Sequence, residues 1–319
     1  MKHSHIFFLL FLASVLLFAC AASGQFQQAV SQIPTGQSMP TALLPAPTTA
    51  LPAPPTPTPL PILVEAQLKN GSYQDVLFPE PLTLVDGRYQ SGSGAEMLSV
   101  MLQPLIAYGD LNGDGLEDAA LLLAENGGGS GVFVSLVAVL NQNGQPQQAG
   151  AVLVDDRPQI QSLAIQNGVI LLGAVIQRSS DPMVSPTLVV SETFRLAAGG
   201  LHLVSLSTPT DGGLTRQITI ASPAWGAETG ASLQVSGEMP IGPFENNLLY
   251  RIVDAAGQEF AAGPFPVISD GIGGPASFDN ALILPILPAG AVIWLELSEN
   301  SMMDGSPLAV ARVMLTYKP

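Results

Sequence analysis

The sequence predicts a mainly β protein with two β domains, preceded by an N-terminal leader and a proline-rich linker. Three observations carry this. Beyond about residue 62 the chain alternates short runs rich in Val, Leu and Ile with Gly, Asn, Asp and Pro clusters, at intervals of about 8–12 residues. Helix-favouring charged residues are scarce, since Asp, Glu, Lys and Arg make up only 11% of the chain. A turn-rich, apolar-poor gap at Ser207–Gly213 divides the chain beyond residue 61 into two stretches, each long enough for its own core.

The first 61 residues set the address. Met1–His5 carries one fixed positive charge, and Ile6–Phe18 is almost wholly apolar. That run falls short of the roughly 20 residues that cross a bilayer, so it reads as a secretion signal rather than a permanent span. It ends in Leu17-Phe18-Ala19-Cys20, which resembles a bacterial lipobox. The resemblance implies that residues 1–19 are a lipoprotein signal peptide and that Cys20 is acylated. Several acyl chains hold a protein firmly where one holds it marginally, because each buried CH2 contributes about 0.8 kcal/mol. Cys20 is the only cysteine, so once it is acylated no thiol remains for a disulfide, a metal or a nucleophile. Residues 20–61 form the lipidated terminus and a disordered Pro/Thr-rich linker. Proline fixes φ and removes a donor, so polyproline II extension is expected, with Pro34–Pro61 reaching about 70–85 Å.

Charge narrows the partners. Removing Lys2 with the leader leaves 9 of the 10 basic residues against 25 acidic ones, a net charge of about −16. Nucleic acid is excluded as an electrostatic partner on that balance. His3 and His5 leave with the leader, so His202 is the last imidazole. It lies in the apolar run Leu201–Val204, where a structural role on a strand is expected, and serine–histidine catalysis would have to run through it.

The first β domain is assigned to residues 62–208. Its opening runs are Val64–Gly71 and Leu82–Tyr89, with Asp86-Gly87 as a hairpin turn. The informative stretch is Asp110-Leu-Asn112-Gly-Asp114-Gly115-Leu116-Glu-Asp118. Oxygen side chains at Asp110, Asn112, Asp114 and Asp118, the Leu116 carbonyl and the turn glycine Gly115 suit a hard cation such as calcium. Leu121 stands where an EF-hand has its bidentate Glu, and the segment after Asp118 is strand-like. The loop looks like that of FG-GAP or VCBS-type β repeats. Two readings stand for it: a calcium site, or Asx-turns that join two strands without metal. Gly127–Gly131 lacks a following Gly-Lys-Ser/Thr and a helix, so it reads as a turn between strands rather than a phosphate loop. Asn141–Gly144 is a hairpin tip. Strands are expected at Gly150–Leu153, Ile160–Ile165, Val169–Ile176, Leu188–Val190 and Thr193–Leu196. The glycine-rich motifs and the Asp181–Thr187 segment together resemble an uncharacterised domain of bacterial exported proteins, which implies no activity.

The second β domain is assigned to residues 214–319. Strands are expected at Gln217–Ser222, Leu233–Val235, Leu248–Val253, Gln258–Ala262, Ala281–Ile286, Val292–Leu297 and Ala309–Thr316. Seven strands in about 105 residues suit an immunoglobulin-like sandwich, here without a cysteine pair. Ile220–Pro223 with Leu233–Glu238, then Phe244–Gly257, then Leu295–Pro307 resemble the immunoglobulin-like Gmad2 domain of bacterial spore-germination and envelope proteins. That resemblance implies a non-catalytic adhesion or assembly module at the cell envelope. Glu245, Glu296, Glu299 and Asp304 are the carboxylates available for an alternative role in glycan cleavage, which needs two carboxyl groups about 5–10 Å apart. Glu296 and Glu299, three apart on a strand, are expected on opposite faces, and Ser298–Ser306 is expected to be a solvated acidic loop. The sequence therefore reads as an extracytoplasmic lipoprotein held to the membrane by its anchor, binding an envelope protein or wall polymer. A wall-glycan hydrolase and a calcium-stiffened spacer are the alternatives.

Overall fold

The computed structural model describes residues 60–74, 77–197, 199–271 and 273–318. The signal segment, Cys20 and the linker up to residue 59 lie outside them. Among the described residues no helix is long and apolar enough to cross a membrane.

The chain opens with a short helix, α1 (Glu65–Lys69), and a two-stranded ribbon of β1 (Ser72–Tyr73) and β2 (Leu82–Thr83). The helix falls in the first run, Val64–Gly71. A Glu65–Lys69 ion pair one turn apart and a Gln67 side chain accepting the Val64 N–H support it locally. A five-stranded antiparallel meander follows: β3 (Arg88–Ser91), β4 (Leu98–Gly109), β5 (Asp118–Asn126), β6 (Phe133–Gln142) and β7 (Gln145–Asp156). A second meander contains β8 (Gln159–Gln166), β9 (Val169–Ile176), β10 (Leu188–Ala197) and β11 (Gly200–Pro209). Asp86-Gly87, Asn143-Gly144 and Asn167-Gly168 all take positive φ at both residues, the requirement of the tight turns whose twist matches that of flanking strands.

The remaining strands are β12 (Thr215–Arg216), β13 (Thr219–Ser222), β14 (Glu228–Thr229), β15 (Ser232–Met239), β16 (Asn247–Val253), β17 (Glu259–Pro266), β18 (Ile268–Ser269), β19 (Ala276–Ile283), β20 (Val292–Asn300) and β21 (Pro307–Tyr317). They form a sandwich of the immunoglobulin-like kind. One sheet runs β13-β15-β19-β18, and the facing one contains β17-β16-β20-β21. Val235, Phe278 and Leu282 from the first meet Ile252, Phe265, Leu295 and Val313 from the second in one core. The protein is mainly β, as the composition requires.

Residues 119–123 explain the other core. Ala119-Ala-Leu-Leu-Leu123 is apolar without alternation, the pattern of a strand covered on both faces. Leu121, Leu123 and Val137 pack against Leu68, Tyr73, Phe78 and Leu84 from the opening segment. Ala120, Leu122, Leu136 and Ala138 pack against Ile170, Leu172, Phe194 and Leu201. The five-stranded sheet is thus the middle of three layers.

The two regions on either side of Ser207–Gly213 share a sheet. β11 pairs with β21 through Ser205–Ala311, Leu206–Val310 and Ser207–Ala309, giving the spatial order β17-β16-β20-β21-β11-β10-β9-β8. Directly opposed residues project to the same face. Leu206 and Val310 join Ile176, Leu188 and Val190 in one cluster, while Ala309 and Ala311 belong to the sandwich core. One sheet therefore carries apolar contacts of the two regions on its opposite faces at the seam.

Three expectations are corrected. Strand β10 runs unbroken through Ser191 and Glu192, because Glu192 sits at the inward-facing alternation with Val190 and Phe194. The strand expected at Ala281–Ile286 instead spans Ala276–Ile283, with Ser277 and Asp279 at its outward positions. Ser298–Ser306 is not a solvated loop: β20 extends to Asn300, and Ser298, Glu299 and Ser306 are buried.

Candidate functional site

The loop between β4 and β5 holds the predicted ligand residues, closed by its own donors. Asp110 accepts the N–H groups of Asn112 and Gly113 on Oδ1 and of Gly115 on Oδ2. Asn112 Oδ1 accepts the Asp114 N–H, and Asp114 Oδ1 accepts that of Leu116. Asn112 Nδ2 donates to Asp114 Oδ2. Gly113 and Gly115 take φ of 82° and 83°, which a side chain would oppose. Asp118 is fully buried and accepts the N–H groups of Leu111 and Asn141, which ties the loop to the β6–β7 hairpin.

Electrostatics follows that geometry. The N–H donors, that of Gly115 foremost, hold Asp110 below its usual range. Burial pushes Asp118 up, against its two N–H donors, and Asp114 and Asp110 push in the same direction as burial. The donor set is the hard-oxygen chemistry calcium takes. Among the described residues no three Asp, Glu, His or Cys side chains are placed to hold a metal ion.

Beside this loop lies a cleft of about 960 Å³, within the size range of ligand pockets. Asp110 and Asn112 line it from the loop, Asn167 from the β8–β9 turn, Arg195 from β10, and Trp225 and Met314 from the sandwich region. Residues from both regions thus line one cleft. Arg195 lies over the Trp225 ring, its guanidinium carbon 4.6 Å from the centroid. Trp225 meets Trp294 edge to face at 5.4 Å, and Trp294 meets the His202 ring at 4.5 Å. The Arg195 side chain has no hydrogen bond or ion pair among the described residues, so its donors are set by stacking yet uncommitted. No sequence signal joins Arg195 to Trp225, since they lie in different regions.

His202 is where its sequence context predicts, on β11 and half-buried. Its Nε2 lies 3.0 Å from the Ala197 carbonyl. Burial lowers its pKa, with a smaller push from Arg312. A carbonyl oxygen only accepts, so Nε2 donates to it.

Three of the four candidate carboxylates are engaged by other side chains. Glu296 lies between two arginines directly opposite it on neighbouring strands, Arg251 on β16 and Arg312 on β21. It accepts from Arg251 at 3.3 Å and from Arg312 Nε at 2.5 Å, and Arg251 also bonds Glu259 at 2.8 Å. Glu299 pairs instead with Arg216 on β12, at 2.6 Å. Asp304 accepts the Ser180 hydroxyl and the Ser306 N–H, which hold its carboxyl well below the usual range. Glu245 is exposed. A general acid for glycan cleavage needs a raised pKa beside a second free carboxylate. Burial pushes Glu299 up, against Arg216.

No family model, curated protein or solved structure matches the chain.

Proposed function

We propose that the chain is a lipid-anchored, extracytoplasmic module that binds and assembles partners at the bacterial cell envelope without catalysing a reaction. The address rests on the apolar leader, Cys20 and the proline-rich linker, and the class of module on the Gmad2-like blocks. The observation that carries binding is the cleft where Arg195 stands stacked on Trp225 with its donors unspent. A guanidinium fixed in this way loses little freedom when it meets the oxygen acceptors of a wall polymer. Co-sedimentation of the full chain with isolated cell wall tests it. Retention without release of soluble glycan, weakened about tenfold by Arg195→Ala, is the expected result. Glycan release abolished by Glu299→Gln would replace this reading with hydrolysis. Labelling with a radioactive fatty acid, lost in Cys20→Ser, tests the anchor.

A calcium-stiffened spacer is the second reading. The observation favouring it is the donor set, since the side-chain oxygens of Asp110, Asn112, Asp114 and Asp118 lie within one short loop turned by Gly113 and Gly115. Asp110, Asn112, Asp114 and Asp118, with the Leu116 carbonyl, would hold the ion.

A further inference from the structure

A second concave surface shares no residue with the cleft beside Arg195. It lies at one end of the sandwich, between the Ile241–Asn246 segment and the β20–β21 turn, and encloses about 750 Å³. Its rim is unusually apolar for an exposed site. Phe244 is 67% exposed, Met302 76% and Met303 90%. Isolated exposed apolar residues are ordinary, but three large ones around one groove mark an interaction surface. Phenylalanine and methionine are also enriched in binding patches, and methionine adapts to varied partners.

The backbone holds these side chains outward. Ser301 N–H donates to the Ser306 carbonyl, Gly305 N–H to the Ser301 carbonyl, and Met303 N–H to the Ser301 hydroxyl. Asp304 is fastened to Ser180 of the neighbouring region. On the other lip, Glu245 and Asn246 take φ of 60° and 54°, two consecutive non-glycine residues in the left-handed region. Strain of that kind persists where the surroundings over-determine it, and it concentrates at binding sites.

The floor supplies the charge. Glu299 is buried, with 6% exposure, and lines the groove. Its Oε1 takes Arg216, while Oε2 is shielded from solvent and has no hydrogen-bond partner among the described residues. A buried carboxylate oxygen without a donor is costly, and a ligand N–H removes that cost. Glu245 on the rim makes no ion pair among the described residues, so the groove sets two carboxylates against one arginine. The whole chain, at −15, adds to the bias.

We propose that this groove docks an extended peptide segment of a partner protein, with aliphatic side chains against Phe244, Met302 and Met303 and a lysine or arginine reaching Glu299. Two fluorescent nonapeptides, alike in their aliphatic residues but with a central Lys or Glu, test this by anisotropy against the full chain. The Lys peptide is expected to bind at least about tenfold tighter than the Glu peptide, because a second acid would face Glu299 and Glu245. Met303→Asp, in an exposed turn, should abolish binding of the Lys peptide without altering the melting temperature. Glu299→Gln should bring the two peptides to within about threefold of each other. Equal binding of both peptides to the unaltered chain would overturn the proposal, as would undiminished binding to Met303→Asp or no binding of the Lys peptide at all.

Discussion

Strands β5 and β20 are each buried over nearly their whole length, but they reach burial by different means. β5 is apolar on both faces through Ala119–Leu123 and is covered by two layers. β20 carries Trp294, Glu296 and Glu299 at equally buried positions, and each acid has arginine beside it. Region 62–208 holds the contrasting case. Glu192 is buried on the apolar side of β10, its Oε2 has no partner among the described residues, and no arginine is paired with it. The buried acids of β20 thus have cations beside them. Burial pushes Glu192 toward its neutral form with no arginine to oppose it, whereas Arg216 opposes the same push on Glu299.

The largest effect should come from the apolar strand. Leu121→Ala removes contacts on a fully buried side chain and is expected to lower unfolding free energy by about 3–5 kcal/mol in chemical denaturation. A loss under about 1 kcal/mol would break the three-layer account.

Glu192 sharpens the contrast between unpaired and paired acids. Burial, with a smaller contribution from Asp155, pushes it from its ordinary 4.5 up to about 7. The folded protein then binds more protons than the unfolded chain between those values. Stability is therefore greatest at low pH from this group and falls as pH rises from about 4.5 to about 7. The loss is on the order of 3 kcal/mol. Glu192→Gln should flatten that part of the stability–pH curve, and an unchanged slope would contradict the assignment.

For β20, Glu296→Ala leaves Arg251 and Arg312 facing a vacated position. The arginines are about a third exposed, which screens them, so roughly 2 kcal/mol is expected. Replacing all three with Met, Leu and Met should recover most of it, since apolar groups of like volume substitute well for buried ion sets. A triple variant weaker than Glu296→Ala would show the network to be more than matched burial.

The smallest effect concerns the β4–β5 loop. If it takes calcium, the ion should raise the melting temperature by a few degrees and Asp114→Ala should remove the shift. Identical melting curves with calcium and with chelator would leave the N–H-closed loop as the whole account.

Much of the fold is legible because its signals are local. Asp86-Gly87 and Asn143-Gly144 announce their turns, Val169–Ile176 is a strand over the expected span, and the seven expected strands of the sandwich all have counterparts. The seam is not legible. Ser205–Ser207 and Ala309–Ala311 lie about a hundred residues apart, and alternation in either run says nothing of which edge it meets. Glu299 misleads for the same reason. Its neighbours Asn300 and Ser301 look solvated, while the arginine that permits its burial, Arg216, belongs to a distant strand. The loop residues Asp110–Asp118 are legible as a cluster, but the cleft beside them depends on Trp225 arriving across the seam.

One sheet runs through both regions, and differential scanning calorimetry of the full chain tests the expectation that they unfold together. A single transition is expected, with calorimetric and van't Hoff enthalpies in agreement, and Leu206→Asp at the seam should shift it downward as a whole. Two resolved transitions, only one of them moved by that substitution, would contradict a single unit.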